Sequence, residues 1–261
     1  MQVNMKVKAI YAVVFFLIFF FVQDAGARRP VTVKIGEGET RVALIEGSAE
    51  FMPAGKDIWC PLRVNSILVD GDQVKTGPKS RMEIILPDES TLRFADNTRF
   101  RIVKIKVCEK TTTRDVKFNV VLGKTWANVS KTLGVKSSFE VSSENAVAGV
   151  RGTIYRMNVY DDKSALVRVY DGKVAVTGGQ KAKTPADIQK IYPTPHRVEG
   201  PKPVPGPTKV TMEEWTYIIK SMQQIRIRAD GIAEKPRDFT EEEDRNDWVD
   251  WNKERDTLIK D

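Results

Sequence analysis

Residues 146–174 read AVAGVRGTIYRMNVYDDKSALVRVYDGKV, and their spacing decides the fold class. Tyr155, Met157 and Val159 fall on one side of an extended chain, with Arg156 and Asn158 on the other. Ala165, Val167 and Val169 share a side opposite Arg168. Successive side chains of a strand point to opposite faces, so a period of two predicts strands with one apolar face. Asp161-Asp162 separates the first two runs, and Asp171-Gly172 separates the next two. Asp-Gly accepts the positive φ of tight hairpin turns. The stretch is therefore expected to form a three-stranded meander over 153–160, 164–170 and 173–177.

The same pattern runs upstream. Val31, Val33 and Ile35 alternate with polar neighbours, as do Val42 and Leu44 before Gly47. Met82, Ile84 and Leu86 share a face opposite Arg81 and Glu83, and Asp70-Gly71 and Gly123 punctuate other runs. Short strands at intervals of roughly 8–12 residues indicate an all-β sandwich, barrel or solenoid, and periodicity does not choose among them.

The order of the short motifs is more specific than any one of them. Trp59-Cys60-Pro61-Leu62 leads through Asn65 to Gly71-Asp72-Gln73-Val74-Lys75-Thr76-Gly77. Leu86-Pro87-Asp88 and Ser90-Thr91-Leu92 follow, and the series ends on Val150-Arg151-Gly152-Thr153. This order, over roughly residues 36–178, resembles the FecR domain, a module of the bacterial cell envelope. Glu89 stands where that family often has Gly. The resemblance implies an all-β domain, β-helical and solenoid-like, or otherwise a sandwich of many short strands. It also implies a non-enzymatic role in recognising another envelope protein. On this reading Val150, Arg151, Gly152, Thr153, Gly71, Asp72, Thr76 and Gly77 are structural motif positions. Arg151 could reach a partner's carboxylate, but a fork of hydrogen bonds within its own domain is the favoured role. Family members that carry a cytoplasmic anti-sigma region and a membrane helix relay a signal from an outer-membrane receptor to a sigma factor. This chain opens on an apolar segment instead, so direct control of a sigma factor is not expected.

That segment reads as a secretory signal over residues 1–27. Lys6 and Lys8 precede the uncharged run 9–22, and Ala25-Gly26-Ala27 fits the small-x-small rule, which puts cleavage between Ala27 and Arg28. The apolar run is shorter than the ~20 residues a membrane span needs, so no transmembrane segment is expected after cleavage. The expected location is the periplasm or the cell surface. Two cysteines, Cys60 and Cys108, could form a disulfide in such a compartment or remain thiols.

Residues 28–178 are read as the β domain. In 179–209, Pro185, Pro193, Pro195, Pro201, Pro203, Pro205 and Pro207 mark an extended linker. Residues 210–261 are read as a helical tail. Thr211-x-x-Glu214 and Thr240-x-x-Glu243 are capping boxes, and Trp215, Ile218, Ile219, Met222 and Ile225 follow helical spacing as far as Gly231. Trp248, Trp251, Leu258 and Ile259 supply an apolar stripe expected to pack on the β domain or on the first helix.

No catalytic constellation can be assembled. His196 is the only histidine and lies in the proline-rich stretch, which removes Ser-His-Asp and Cys-His arrangements and the usual zinc ligand set. No cofactor motif is present. The formal charge of +7 is spread among interspersed acids rather than gathered in a stripe, which argues against nucleic acid. Trp59 is expected in the core. The expected partner is an envelope protein of unknown identity. The alternative is a structural component associated with carbohydrate or cell-wall polymer.

Overall fold

The computed structural model describes residues 39–108, 113–131, 137–178 and 215–258. The signal segment with its Ala27–Arg28 junction, the proline-rich stretch and the Thr211 capping box lie outside the described residues. In chain order the first strands are β1 (Thr40–Glu46), β2 (Ala49–Met52), β3 (Cys60–Pro61), β4 (Ile67–Leu68), β5 (Gln73–Thr76), β6 (Arg81–Ile85), β7 (Thr91–Phe94) and β8 (Arg99–Cys108). The long β9 (Thr113–Asn128) follows, then β10 (Ser138–Ser142), β11 (Ala146–Val150), β12 (Ile154–Val159), β13 (Ala165–Asp171) and β14 (Lys173–Gly178). The last elements are β15 (Trp215–Lys220), β16 (Gln223–Ile227), β17 (Arg237–Asp238), α1 (Glu241–Asp244) and α2 (Asp247–Leu258).

The strands form two sheets that share β9. The front sheet runs β4-β1-β6-β7-β9-β12-β13-β16-β17. The rear sheet runs β3-β2-β5-β8-β9-β10-β11-β14-β15. β9 belongs to the rear sheet up to Leu122 and to the front sheet from Gly123. Gly123 makes the bend possible. Its φ is +103°, and a Cβ there would lie 2.5 Å from the Cα of Thr98.

One apolar core fills the space between the inner faces. Val42, Ile84, Met157 and Val167 of the front sheet and Val74, Phe118, Val141 and Val176 of the rear sheet belong to it. Phe94 and Phe100 stack across it with ring centroids 3.7 Å apart. Among the described strands pairing is antiparallel except between β9 and β10. Stacked solenoid coils would pair in parallel, so of the two all-β architectures the chain adopts the sandwich. Its paired strands nevertheless alternate between sheets: β12–β13 in front, β14–β15 behind, β16–β17 in front.

Three local expectations are corrected, and the thiol alternative holds for the two cysteines. β12 and β13 form the expected pair, but β14 leaves the meander and pairs with β11 and β15 in the rear sheet. Only Gly172 separates β13 from β14, too few residues for a two-residue hairpin loop. The place beside β13 is taken by β16.

The helix expected from Thr211 to Gly231 is instead, over its described part, the two strands β15 and β16. Ile219, Ile225 and Ile227 are buried in the core at strand spacing, while Ile218 is exposed. The helical spacing arose from apolar residues on both faces of two strands joined through Ser221 and Met222.

No disulfide joins Cys60 to Cys108. Cys60 pairs with Phe51, which lies in the cross-strand row of Val74 and Phe100. Cys108 follows Phe100 along β8 by a distance of roughly 25 Å at about 3.3 Å per residue, beyond the ~7 Å Cα reach of a bridge. Trp59, finally, is half-buried at the surface with Lys75 Nζ 4.4 Å from its ring centre, outside the core.

Candidate interaction surface

The motif residues sit where the chain changes sheets. β11 ends at Val150 in the rear sheet and β12 begins at Ile154 in the front sheet. Gly152, with φ +62°, turns the corner, and Arg151 points outward beside it. The Thr153 hydroxyl donates to the carbonyl of Lys173 at 3.0 Å, and Val129 N donates to the Thr153 carbonyl at 3.0 Å. Gly172, at φ +88°, is the return corner, and a Cβ there would lie 2.8 Å from the carbonyl oxygen of Gly152. The outgoing and returning corners thus pack directly against each other.

The Gly71–Gly77 step is built in the same manner. Asp72 accepts backbone N–H groups from Ala54 and Val69, each at 3.0 Å. Gly71 N donates to the Ile102 carbonyl at 2.8 Å. The buried Thr76 hydroxyl donates to the Ala95 carbonyl at 2.6 Å and accepts from Thr98 N at 2.9 Å. Gly77 N donates to the Ser48 carbonyl at 2.9 Å. These groups satisfy backbone at sheet corners, where ladder hydrogen bonds end and buried polar groups need other partners.

The outer face of the front sheet carries a different arrangement. Glu83, Arg93, Trp126, Arg156, Arg168, Gln224 and Arg237 stand opposite one another across successive strands. Arg93 is 0% exposed, Arg156 5% and Arg168 9%. The helices cover them. Asp244 of α1 accepts hydrogen bonds from Arg156, Arg168 and the Tyr170 hydroxyl. Asp256 of α2 accepts from Arg93 Nη1 at 2.7 Å, Trp126 Nε1 at 2.9 Å and Asn128 Nδ2 at 3.0 Å. Glu83 accepts from Arg93 Nε at 2.5 Å and from both Nε and Nη2 of Arg255 at 2.9 Å. Two arginines directly opposite in a sheet repel, and Asp244 bridges that pair.

Electrostatics follow from this geometry. Burial alone would push the Glu83 carboxyl up, but hydrogen bonds from Arg255 and Arg93 outweigh it and hold the group below the usual carboxylate range. Glu83 in turn raises Arg255. Burial pushes the Tyr170 hydroxyl far up, so it acts as a neutral donor. Trp126 stacks on Tyr170 at 4.4 Å, and Tyr170 meets Phe239 edge-on at 5.8 Å.

The helical tail is locally well specified. Thr240 accepts from Glu243 N at 3.2 Å, as its capping box requires. Asn246 caps α2 by accepting from Val249 N at 3.1 Å. Trp248, Val249, Asn252 and Asp256 form the buried face of α2, while Leu258 is exposed. The apolar stripe therefore captured only part of the docking face. The acids that anchor it were legible only as helix-start and dipole-compensating residues. A signal was available: Arg156 and Arg168 fall opposite each other once the hairpin is placed, and the tail is rich in Asp and Glu.

Among the described residues no group of three or more His, Cys, Asp or Glu side chains could hold a metal ion. No described helix is long and apolar enough to cross a membrane.

Comparison with protein families matches residues 72–175 to the FecR protein family. No curated protein matches the chain. Two crystal structures of a candidate anti-sigma factor from Parabacteroides distasonis ATCC 8503, at 1.65 Å and 2.50 Å resolution, are similar at 14% and 15% identity. Each has a TM-score of 0.42, with 64% of this chain covered and 59% of that protein's length spanned. The family match begins at Asp72, takes in the Val150–Thr153 corner and ends at Ala175, so residues 72–175 are similar to the FecR protein family.

Proposed function

We propose that this chain is a non-enzymatic FecR-domain module that works in the periplasm or on the cell surface by binding another envelope protein. The FecR match over 72–175 carries the reading and supports a signalling or regulatory role. Export is read from Lys6, Lys8, the apolar run 9–22 and the small residues before Arg28. The motif residues at the corners serve the backbone, so recognition falls to the exposed surface.

The best surface for a protein partner lies around the short edge strands β3 and β4. Ile58 is 71% exposed, Val69 54%, Val64 47% and Ile67 44%, all within twelve residues of chain. Exposed apolar side chains on and beside two edge strands suit a partner that adds a strand. The test places a photo-crosslinker at Val69 and, in parallel, at Val121 on the rear sheet, in the exported chain within its own cells. One protein crosslinked from Val69 and not from Val121 is the expected result, together with a mature N-terminus at Arg28. A full-length cytoplasmic product, or no protein adduct from either position, would overturn the proposal.

The second reading, association with an acidic envelope polymer, draws on one observation: a basic cavity between β13, β16 and β17.

A further inference from the structure

That cavity has a volume of about 100 Å³. Arg168, Gln224, Arg226, Glu234, Lys235 and Arg237 surround it, with Leu166 at one side. The strand register explains the convergence. Arg168, Gln224 and Arg237 lie in one cross-strand row, and Leu166 and Arg226 lie opposite each other in the next row but one along the strands. The chain returns over this face at Glu234, whose N–H donates to the Arg226 carbonyl at 2.8 Å. This brings Lys235 to the rim.

Four cations thus meet one lining carboxylate. The floor is buried: Gln224 is 3% exposed and Arg168 9%. Arg168 Nε donates to Gln224 Oε1 at 2.6 Å, which leaves the Gln224 NH2 group as a donor. Asp244 takes another edge of Arg168, and Glu243 lies 3.6 Å from Arg237, with both of those side chains largely exposed. Arg226 sits 5.7 Å from the Tyr160 ring centre. Among the described residues Arg226 and Lys235 form no salt bridge, and the exposed carboxylate of Asp162 lies near enough to feel Arg226. Along the same row, guanidinium groups that meet a buried acid are neutralised by it. At the cavity Arg168 still has such an acid in Asp244, whereas among the described residues no buried acid bonds Arg226 or Lys235.

We propose that this cavity binds a phosphoryl group. The volume suits one tetrahedral oxyanion. Guanidinium forks recognise phosphate oxygens through paired charge-assisted hydrogen bonds. A phosphoryl group offers three or more acceptor oxygens to donors arriving from four side chains, whereas a carboxylate offers two. Inorganic phosphate, a phosphate ester in a polymer and a phospholipid headgroup share this chemistry. The assignment does not depend on the protein-binding role.

The experiment titrates residues 28–261 with inorganic phosphate at constant ionic strength, with chloride as the control, and follows binding by calorimetry. The comparison is the Arg226→Ala/Lys235→Ala double variant. Both side chains are exposed, so its melting temperature without phosphate should equal that of the parent. Saturable binding that the double variant weakens by about tenfold or more supports the site, as loss of one or more charge-assisted hydrogen bonds requires. Glycerol phosphate and phosphatidylglycerol vesicles, with phosphatidylcholine vesicles as control, then separate a soluble or polymeric source from a membrane one. Failure to bind inorganic phosphate and both esters, or equal binding by parent and double variant, overturns the proposal.

Discussion

From β6 to β13 both faces of the front sheet are buried, and they are chemically opposite. Tyr155, Met157, Val167 and Val169 face inward and join the core shared with the rear sheet. Arg156 and Arg168, their immediate neighbours in sequence, face outward and are buried under α1 and α2. The inner face is held by non-directional apolar contact, in which each residue touches many others and volume matters most. The outer face is held by three carboxylates, each serving several donors. A buried ion pair offsets much of its attraction against desolvation, yet removing one partner leaves an uncompensated charge. The apolar face should therefore respond to substitution in proportion to volume lost. The ionic face should respond to single acids.

The largest effects test this contrast. Phe118→Ala should cost about 3–5 kcal/mol as a core truncation. Asp244→Ala should cost about 3–5 kcal/mol as well, because Arg156 and Arg168 would be left opposed and unpaired. Urea denaturation measures both. The kinds of damage should differ: limited proteolysis should find the tail of Asp244→Ala released while the sandwich stays intact, and Phe118→Ala weakened everywhere. A cost below about 1 kcal/mol for Asp244→Ala, in the range of an exposed pair, would break the comparison.

Gly172→Ala comes next, at the corner where the chain leaves the front sheet. Its positive φ alone should cost about 1–2 kcal/mol. The close approach to the Gly152 carbonyl adds to that. Gly55 has a similar φ of +71° with no heavy atom within 4 Å of a new Cβ, so Gly55→Ala should show the backbone cost alone. Equal melting temperatures for the two variants would argue against packed corners.

Acid separates the faces without mutation. Glu83 has a folded pKa below its usual 4.5, so its contribution is complete above that value and is lost as pH falls through the lowered one. Glu140 on the rear sheet works in the opposite sense, since burial raises its pKa and folding is favoured as it protonates. Urea midpoints recorded from neutral pH downward should show an acid loss that Glu83→Gln flattens. The smallest effect lies outside both faces. Glu89 holds φ +64° in the turn between β6 and β7, so Glu89→Gly should stabilise by about 0.5–1 kcal/mol.

The sequence made β12 and β13 legible because each has one apolar side, and periodicity reports apolar sides. It did not reveal that the polar side of β12 and β13 is also buried, since an arginine under a helix and one in water look alike in a period of two. The tail's caps were legible at Thr240, where the signal is local. The strands β15 and β16 were not, because Ile218 and Ile219 lie on opposite faces and mimic a helical stripe. Cys60 and Cys108 could be weighed only as a pair of thiols until the register separated them. The arginine row and the basic cavity needed the pairing of strands distant in sequence, which no local pattern contains.

Its buried carboxylates make the tail part of the domain. Hydrogen exchange of residues 28–261, read at the amides of 247–258, tests it most directly. In the parent, α2 should be protected to a degree comparable with β12, and Asp256→Ala should remove this protection while β12 keeps its own. Rapid exchange across α2 in the parent, or unchanged protection in Asp256→Ala, would contradict it.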